Sequence, residues 1–191
     1  AQASMYNATK FGLRGFSLRG MVAQEIVLKE PQLVRKMVLA GTGPAGGEGI
    51  STVAGVTFLD ILRGFFTGQD AKQFLFFTRT PNGKEAGKAF LARLQERTED
   101  RDKNISVSAF LAQLEALRTW GSKAPADLSV VKQPVLVVNG DDDRMVPTVN
   151  THDLARRLSN SQLIIYPDAG HGGLFQFHVD FVRSTLGFLA R

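Results

Sequence analysis

A serine, a run of three acids and a histidine occur in three short glycine-bearing segments of this sequence. The segment GFSLRG holds Ser17, GDDDRMVP holds the acids at 141–143, and DAGHGG holds His171. A histidine can take the proton of a serine hydroxyl, while a carboxylate fixes the imidazole tautomer and stabilises its cation. If the fold brings them together, these residue types predict nucleophilic attack by a serine.

Ser17 lies where the chain is expected to turn tightly from a strand into a helix. From Gly20 to Glu30 apolar residues recur at helical spacing, and Pro31 marks the end of that helix. A serine on such a turn is pushed outward, and the backbone N–H of the next residue is free to bind an oxyanion. We therefore predict Ser17 as the nucleophile and the N–H of Leu18 as an oxyanion donor.

The acids and the histidine each follow an apolar segment typical of a buried strand. PVLVVNG (134–140) precedes the acids, QLIIYP (162–167) precedes the histidine, and RKMVLA (35–40) is a third such segment. Helical patterns alternate with these strands, which predicts an α/β fold with a parallel sheet and helices on both faces. Functional residues in such folds collect at the carboxyl ends of the strands. The three segments are therefore expected to meet at one edge of the sheet.

Length and composition exclude several other classes of protein. The chain of 191 residues suits one domain, and its net charge of +5 is scattered rather than clustered. We therefore expect no nucleic-acid partner. The absence of cysteine excludes disulfides and zinc–thiolate sites. No apolar run approaches the roughly 20 residues of a membrane span, so we expect a cytoplasmic protein without a membrane partner.

In combination, these segments resemble the α/β-hydrolase fold family. GFSLRGMVAQEIVLKEPQLVRKMVLAGTGP is similar to its nucleophile helix and next strand, and PVLVVNGDDDRMVP and LIIYPDAGHGG are similar to its acid and histidine segments. The resemblance covers roughly residues 15–191. It implies an N-terminally truncated parallel-sheet core with an inserted, mostly helical cap. Residues 1–47 would hold the N-terminal stub and nucleophile turn, 48–125 the cap, and 126–191 the acid and histidine loops.

The resemblance implies a serine hydrolase that acts on carboxylic esters through Ser17, His171 and Asp143, with no metal or organic cofactor. Like the family's acid, Asp143 stands three residues beyond Gly140 and four before Pro147. A haloperoxidase-like perhydrolase would use the same residues. The cap, the nucleophile turn and the acid loop would supply an apolar pocket for a small ester-type substrate, formed by Phe16, Phe65, Phe66, Trp120 and Met145.

Two departures from the family pattern support an alternative function. Only fourteen residues precede Gly15, so we expect the first sheet strands and the loop with the second oxyanion N–H to be missing. Arg19 stands where the family has a small residue, and it must point outward or force the turn open. The alternative is a catalytically silent fragment that self-associates as a homo-oligomer through its exposed sheet edge.

The start of the chain resembles a different family. ASMYNATKFGLRGFSL is similar to the catalytic helix of short-chain dehydrogenases/reductases, which carry Tyr-x-x-x-Lys, and Tyr6 and Lys10 match that spacing. This resemblance implies that residues 1–14 are helical and that the chain joins a dehydrogenase-like stub to a hydrolase at GFSL. A short-chain reductase is therefore a third hypothesis for the function.

Overall fold

The computed structural model describes residues 10–96, 98–99 and 105–190. Its centre is a parallel sheet of four strands in the order β1-β2-β3-β4. The strands are β1 Phe11–Phe16, β2 Val34–Ala40, β3 Val135–Gly140 and β4 Ser161–Tyr166. The predicted parallel-sheet α/β core is confirmed.

Eight α-helices accompany the sheet in the described part of the chain. They are α1 Leu18–Lys29, α2 Val53–Thr67, α3 Ala71–Phe76, α4 Pro81–Glu96, α5 Val107–Ser122, α6 Val149–Arg157, α7 Gly173–Gln176 and α8 His178–Ala190. Helices α2–α5 lie between β2 and β3, and we call them the helical insertion. The other helices connect or follow strands in the alternating order that the sequence predicts.

Both faces of the sheet are covered, because side chains along a strand point alternately to opposite sides. Met37 and Leu39 of β2 pack with residues of α1 and α6 on one face. Val38 and Ala40 of the same strand pack with Phe188 of α8 on the other face. The two interior strands are consequently apolar on both faces, and all six residues of β3 are buried. The prediction of helices on both faces is confirmed.

The expectation that residues 1–14 are helical is wrong where the structure describes them. Lys10 precedes β1 without helical structure, and β1 pairs with β2 from Phe11 opposite Val34 to Phe16 opposite Ala40. Pairing with a buried neighbour strand outweighs the local spacing that favours a helix. Tyr6 lies outside the described residues.

Strand β1 lies at an edge of the sheet in the described structure, with β2 as its neighbour. Three of its six residues are exposed, and Phe11 keeps 44% of its surface accessible. An edge strand presents unpaired backbone N–H and C=O groups on its outer side. Within the described residues, the strand that leads into Ser17 is therefore supported from one side only.

Helix α2 leaves much of its apolar surface in solvent. Phe58, Leu59, Phe65 and Phe66 are between 62% and 81% exposed. The segment Ile50–Thr67 has 18 residues and a mean hydropathy of 1.3, so it is long and apolar enough to cross a membrane, and only 28% of the segment is buried. This corrects the expectation that no run of residues approaches such a span, although core helices of soluble proteins meet the same criterion.

Candidate active site

Ser17 sits on a sharp turn between β1 and α1. Its backbone has φ 54° and ψ −126°, which is unusual for a residue with a side chain. The Ser17 N–H donates to the carbonyl of Ala40 at 2.9 Å, which ties the turn to the end of β2. Strained backbone of this kind persists only where the surrounding structure fixes it. The turn therefore presents Ser17 in a fixed position at the carboxyl edge of the sheet.

Glycine makes this turn possible at two positions. A Cβ added to Gly15 would lie 2.5 Å from the backbone N and Cα of Gly20, and one added to Gly20 would lie 2.5 Å from Cγ2 of Thr42. Arg19 is exposed and so points outward, the first of the two outcomes that the sequence allowed. Strand β1 and helix α1 therefore approach each other most closely at Gly15 and Gly20, and not at the side chain of Arg19.

Leu18 is the first residue of α1, so helix geometry gives its N–H no partner within the helix. The same residue lines the cavity beside Ser17. A helix N-terminus carries partial positive charge, which favours an anion at this point. The predicted oxyanion donor thus has the required surroundings.

The three consecutive acids have different surroundings. Asp143 is buried at 5% exposure, whereas Asp141 and Asp142 are exposed. Oδ1 of Asp143 accepts the backbone N–H of Met145 at 2.9 Å and of Val146 at 3.0 Å. These two bonds turn the loop back on the carboxylate and leave Oδ2 free for another partner.

That partner is His171. Oδ2 of Asp143 lies 2.8 Å from Nδ1 of His171, and the two side chains are 0% and 1% exposed. An ionised carboxylate only accepts hydrogen bonds, so this pairing puts a proton on Nδ1 and leaves Nε2 to accept one. The arrangement matches a histidine that serves as a base while a carboxylate orients it.

The imidazole of His171 is also held by its neighbours. The ring of Phe16 lies 4.8 Å from it and that of Phe76 lies 5.8 Å away, centroid to centroid. A Cβ at Gly41, which has φ 53°, would lie 3.3 Å from Cε1 and Nδ1 of the imidazole. The absence of a side chain at Gly41 leaves room for the ring in this position.

Ser17 and His171 line the same cavity, which has a volume of about 350 Å³. In the described structure no hydrogen bond joins their side chains within 3.5 Å. Bonds between catalytic groups are often long in a free enzyme and tighten in the substrate complex. The remaining lining residues come from the end of β1, α1, the helical insertion and the acid loop: Phe16, Leu18, Arg19, Thr57, Leu75, Phe76, Phe110, Gln113, Leu114, Leu117 and Met145.

Of the five predicted pocket residues, Phe16 and Met145 line this cavity. The prediction for Phe65 and Phe66 is wrong, because they are 81% and 79% exposed and lie outside it. Helix α2 buries the opposite face, which holds its small and polar residues.

Trp120 was also predicted in the pocket and lies outside its lining. Its indole N–H donates to the carbonyl of Gly43 at 3.1 Å, and the side chain packs in a buried cluster with Met21 and Ile50. This bond fixes the end of α5 against the loop after β2. Trp120 therefore anchors the helical insertion and does not line the cavity.

The residues that the helical insertion contributes to the cavity were not predicted from the sequence. Phe110, Leu114 and Leu117 of α5 lie on one helical face at i, i+4 and i+7. That spacing is visible in the sequence and predicts an apolar face. It does not reveal whether the face contacts the core or a cavity.

A second acid, Asp168, joins the histidine loop to the helical insertion. Its carboxylate accepts hydrogen bonds from the hydroxyls of Thr78 and Thr80 and from the amide of Asn82, at distances of 2.9 to 3.0 Å. The bonds from Asn82 and Thr80 lower the pKa of this carboxyl below its ordinary value. Nearby, the Gly172 N–H donates to the Phe76 carbonyl at 2.7 Å. The sequence analysis assigned Asp168 no role.

No group of three or more histidine, aspartate or glutamate side chains among the described residues could hold a metal ion.

The site can now be compared with known proteins. Residues 4–177 match the family model of the alpha/beta hydrolase fold. An alpha/beta hydrolase fold protein from Chitinophaga pinensis has a similar structure, with a TM-score of 0.86 and 34% identity over 95% of this chain and 66% of that one.

Two curated proteins are similar in sequence. One is the pimeloyl-[acyl-carrier protein] methyl ester esterase of Nitrosomonas europaea, 27% identical over 91% of this chain and 69% of that protein. The other is the 2-hydroxy-6-oxononadienedioate/2-hydroxy-6-oxononatrienedioate hydrolase of Klebsiella pneumoniae, 31% identical over 95% of this chain and 63% of that protein. The chain thus spans about two thirds of the length of these relatives.

The match to the family model includes Tyr6 and Lys10, the two residues that resemble a dehydrogenase helix. It therefore begins upstream of GFSL, the proposed junction. Together with strand β1, this extent argues against a dehydrogenase-like stub joined at that tetrapeptide.

Proposed function

The chain belongs to the α/β-hydrolase fold family, and we propose that it is a serine hydrolase of carboxylic esters. One observation carries the proposal: the buried 2.8 Å contact between Asp143 and His171 lies beside a cavity that Ser17 also lines. The strained turn at Ser17 supports the nucleophile role. The esterase among the relatives supports the choice of esters.

The first half of the proposed reaction forms an acyl-enzyme. Oγ of Ser17 attacks the carbonyl carbon of the ester, and its proton passes to Nε2 of His171. The carbonyl oxygen becomes an oxyanion that accepts the N–H of Leu18. When the intermediate collapses, the bond to the alcohol breaks and Nε2 returns the proton to the leaving oxygen.

The second half repeats these steps with water as the nucleophile. His171 takes a proton from water, the hydroxide attacks the acyl carbon, and Ser17 leaves with the proton from Nε2. Asp143 stays ionised throughout and stabilises the imidazolium through Nδ1. The carboxylic acid product then leaves the cavity.

A second candidate reaction is hydrolysis of a carbon–carbon bond. It is favoured by the relatives named as 2-hydroxy-6-oxo acid hydrolases, of which the Klebsiella pneumoniae protein is 31% identical. The same nucleophile, base and oxyanion donor would serve a ketone substrate. Ester hydrolysis releases an alcohol as the second product, whereas this reaction releases a fragment whose carbon has gained a hydrogen where the bond was broken. A product assay distinguishes the two.

The catalytically silent, self-associating chain stays the main rival. In the described part of the chain β1 is an edge strand, which supports this rival, because an open edge favours pairing with a second copy. The loss of one oxyanion donor costs on the order of 10²–10³ in rate. A site with Leu18 as its single oxyanion donor would therefore react slowly.

Covalent labelling with a fluorophosphonate probe tests the proposal directly. We expect the folded protein to be labelled, Ser17→Ala to lose the label, and Ser122→Ala, which changes an exposed serine at the end of α5, to keep it. Hydrolysis of p-nitrophenyl pentanoate should follow the same pattern. A folded protein that takes no label and elutes as a concentration-dependent oligomer would favour the silent fragment.

A further inference from the structure

Among the residues that the structure describes, Arg19 is the permanently charged side chain at the opening of the proposed active-site cavity. Arg19 lines the cavity and is also exposed, so it lies where the cavity meets solvent. It follows the nucleophile by two residues, within the first turn of α1. A ligand that reaches Ser17 from this side therefore passes close to a guanidinium group.

Local structure gives no reason for an arginine at this position. The N-terminus of a helix already carries partial positive charge, so a cation in the first turn is unfavourable there. No acid occupies that turn to offset the charge. The arginine is thus tolerated by the helix rather than required by it.

Arg19 also has no counterion within the described structure. No hydrogen bond or ion pair joins it to any of those residues, whereas Arg79 and Arg144 share the buried carboxylate of Asp60 at 3.6 and 3.1 Å. All five N–H donors of the Arg19 guanidinium are consequently available.

Most of the cavity beyond Arg19 is apolar. Leu75, Phe76, Phe110, Leu114 and Leu117 form much of its wall. The hydroxyl of Thr57, which also lines it, donates to the carbonyl of Val53 at 2.9 Å and is therefore occupied. Among the described residues, an apolar wall thus carries a single unpaired cation at its opening, which suits an amphipathic ligand with one negative group.

We propose that Arg19 determines specificity by binding a carboxylate on the substrate. The preferred substrate is then an ester with an apolar chain that also carries a free carboxylate. A carboxylate fits better than a phosphate, because one guanidinium pairs with it through two parallel hydrogen bonds and balances its single charge. This inference rests on the proposed function, since it names the substrate class of the same site.

Two esters matched in carbon number test the proposal: mono-p-nitrophenyl glutarate, which is anionic, and p-nitrophenyl pentanoate, which is neutral. The readout is the ratio of kcat/KM for the anionic ester to that for the neutral one. Arg19→Gln should lower this ratio about tenfold or more, mainly through KM. Arg19→Lys should restore part of it, because it keeps the charge without the planar fork.

The control variant is Arg118→Gln, which removes an exposed arginine of α5 that pairs with Glu115 and does not line the cavity. It should leave the ratio as in the wild type. An Arg19→Gln variant that slows both esters equally would overturn the proposal, because Arg19 would then support the turn or the oxyanion. An equal fall in the ratio in both variants would also overturn it, since any surface charge would then suffice.

A binding measurement separates this proposal from the catalytic one. In the Ser17→Ala background, calorimetry compares octanoate with octanol as ligands that cannot react. Tighter binding of octanoate that is lost in Ser17→Ala/Arg19→Gln supports the carboxylate site even if no ester is hydrolysed. Equal affinities for both ligands overturn it even if the wild-type protein is an active esterase.

Discussion

The two halves of the candidate site are held in different ways. Asp143 and His171 lie on loops after β3 and β4, and their side chains are 0% and 1% exposed. Ser17 instead follows β1, an edge strand of the described sheet, and is partly exposed. Buried side-chain hydrogen bonds fix the acid–histidine half, whereas backbone packing fixes the nucleophile half.

Substitutions in the two halves should therefore lower activity for different reasons: through the position of a proton in the acid–histidine half, and through a displaced backbone in the nucleophile half. In the acid–histidine half, a substitution can change which atom carries a proton while the loops keep their shape. In the nucleophile half, the closeness of Gly15 to Gly20 makes any added atom move the backbone. Variants in the first half should lose rate with little loss of stability, and variants in the second should lose both.

The largest expected effect comes from Asp143→Asn. Asparagine keeps an oxygen for the N–H groups of Met145 and Val146, but its amide NH₂ faces Nδ1 of His171 and favours the wrong tautomer. We expect kcat for p-nitrophenyl pentanoate to fall by about 10⁴. The thermal midpoint of unfolding should change little, and calorimetry measures it.

Asp142→Asn is the matched control, because Asp142 is adjacent and exposed. It should keep wild-type activity. If the two variants lose rate equally, Asp143 does not orient the base, and the contrast between the two halves fails.

Part of this contrast is visible in the sequence. PVLVVNG and LIIYP are apolar enough to identify two strands, and the loops after them hold the acids and His171. From the sequence alone, any of the three acids could be the partner of His171, because only the folded loop buries Asp143 and exposes the other two. The family resemblance decided between them.

The helical insertion is harder to predict. Helix α2 is apolar on most of its circumference, so periodicity does not distinguish a buried face from an exposed one. The sequence therefore assigned Phe65 and Phe66 to the pocket, although they face solvent. The sequence predicts a strand before Ser17, whereas the dehydrogenase resemblance implied a helix over residues 1–14; pairing with β2 shows that Phe11–Phe16 is a strand.

A smaller loss of activity, accompanied by a loss of stability, is expected from Gly15→Ala. The added Cβ would lie 2.5 Å from backbone atoms of Gly20, so the turn must open. We expect the free energy of unfolding to fall by about 1–3 kcal/mol, as for other overpacked sites. A displacement of Ser17 by about 1 Å would lower kcat roughly 10²-fold. Urea denaturation and ester hydrolysis measure the two effects.

Gly12→Ala is the control on the same strand. Its Cβ would meet Cδ2 of Leu189 at 3.6 Å, an ordinary contact. It should leave both stability and rate near those of the wild type. A Gly15→Ala protein of full stability and full activity would show that the turn is not fixed by packing, contrary to the comparison above.

The smallest expected effect is a change in stability from a substitution at Asp168, where the acid–histidine half contacts the helical insertion. Asp168→Asn removes the charge that Thr78, Thr80 and Asn82 surround, and should lower the thermal midpoint modestly at neutral pH. Asp180→Asn, which removes an exposed partner of Arg183, should not.

The direction of the pKa shift of Asp168 determines how the effect of Asp168→Asn changes with pH. Because the folded pKa of Asp168 lies below its ordinary value of 3.8, the carboxylate stabilises the fold above that value. The stabilisation is lost as the pH falls through the folded pKa. The difference in thermal midpoint between wild type and Asp168→Asn should therefore be largest near neutral pH and shrink in acid.

A difference in thermal midpoint that stays constant down to acid pH would mean that the hydrogen bonds from Thr78, Thr80 and Asn82 do not depend on the charge of Asp168. The histidine loop would then be held by its backbone, as the nucleophile turn is, and the two halves would differ less than their burial suggests.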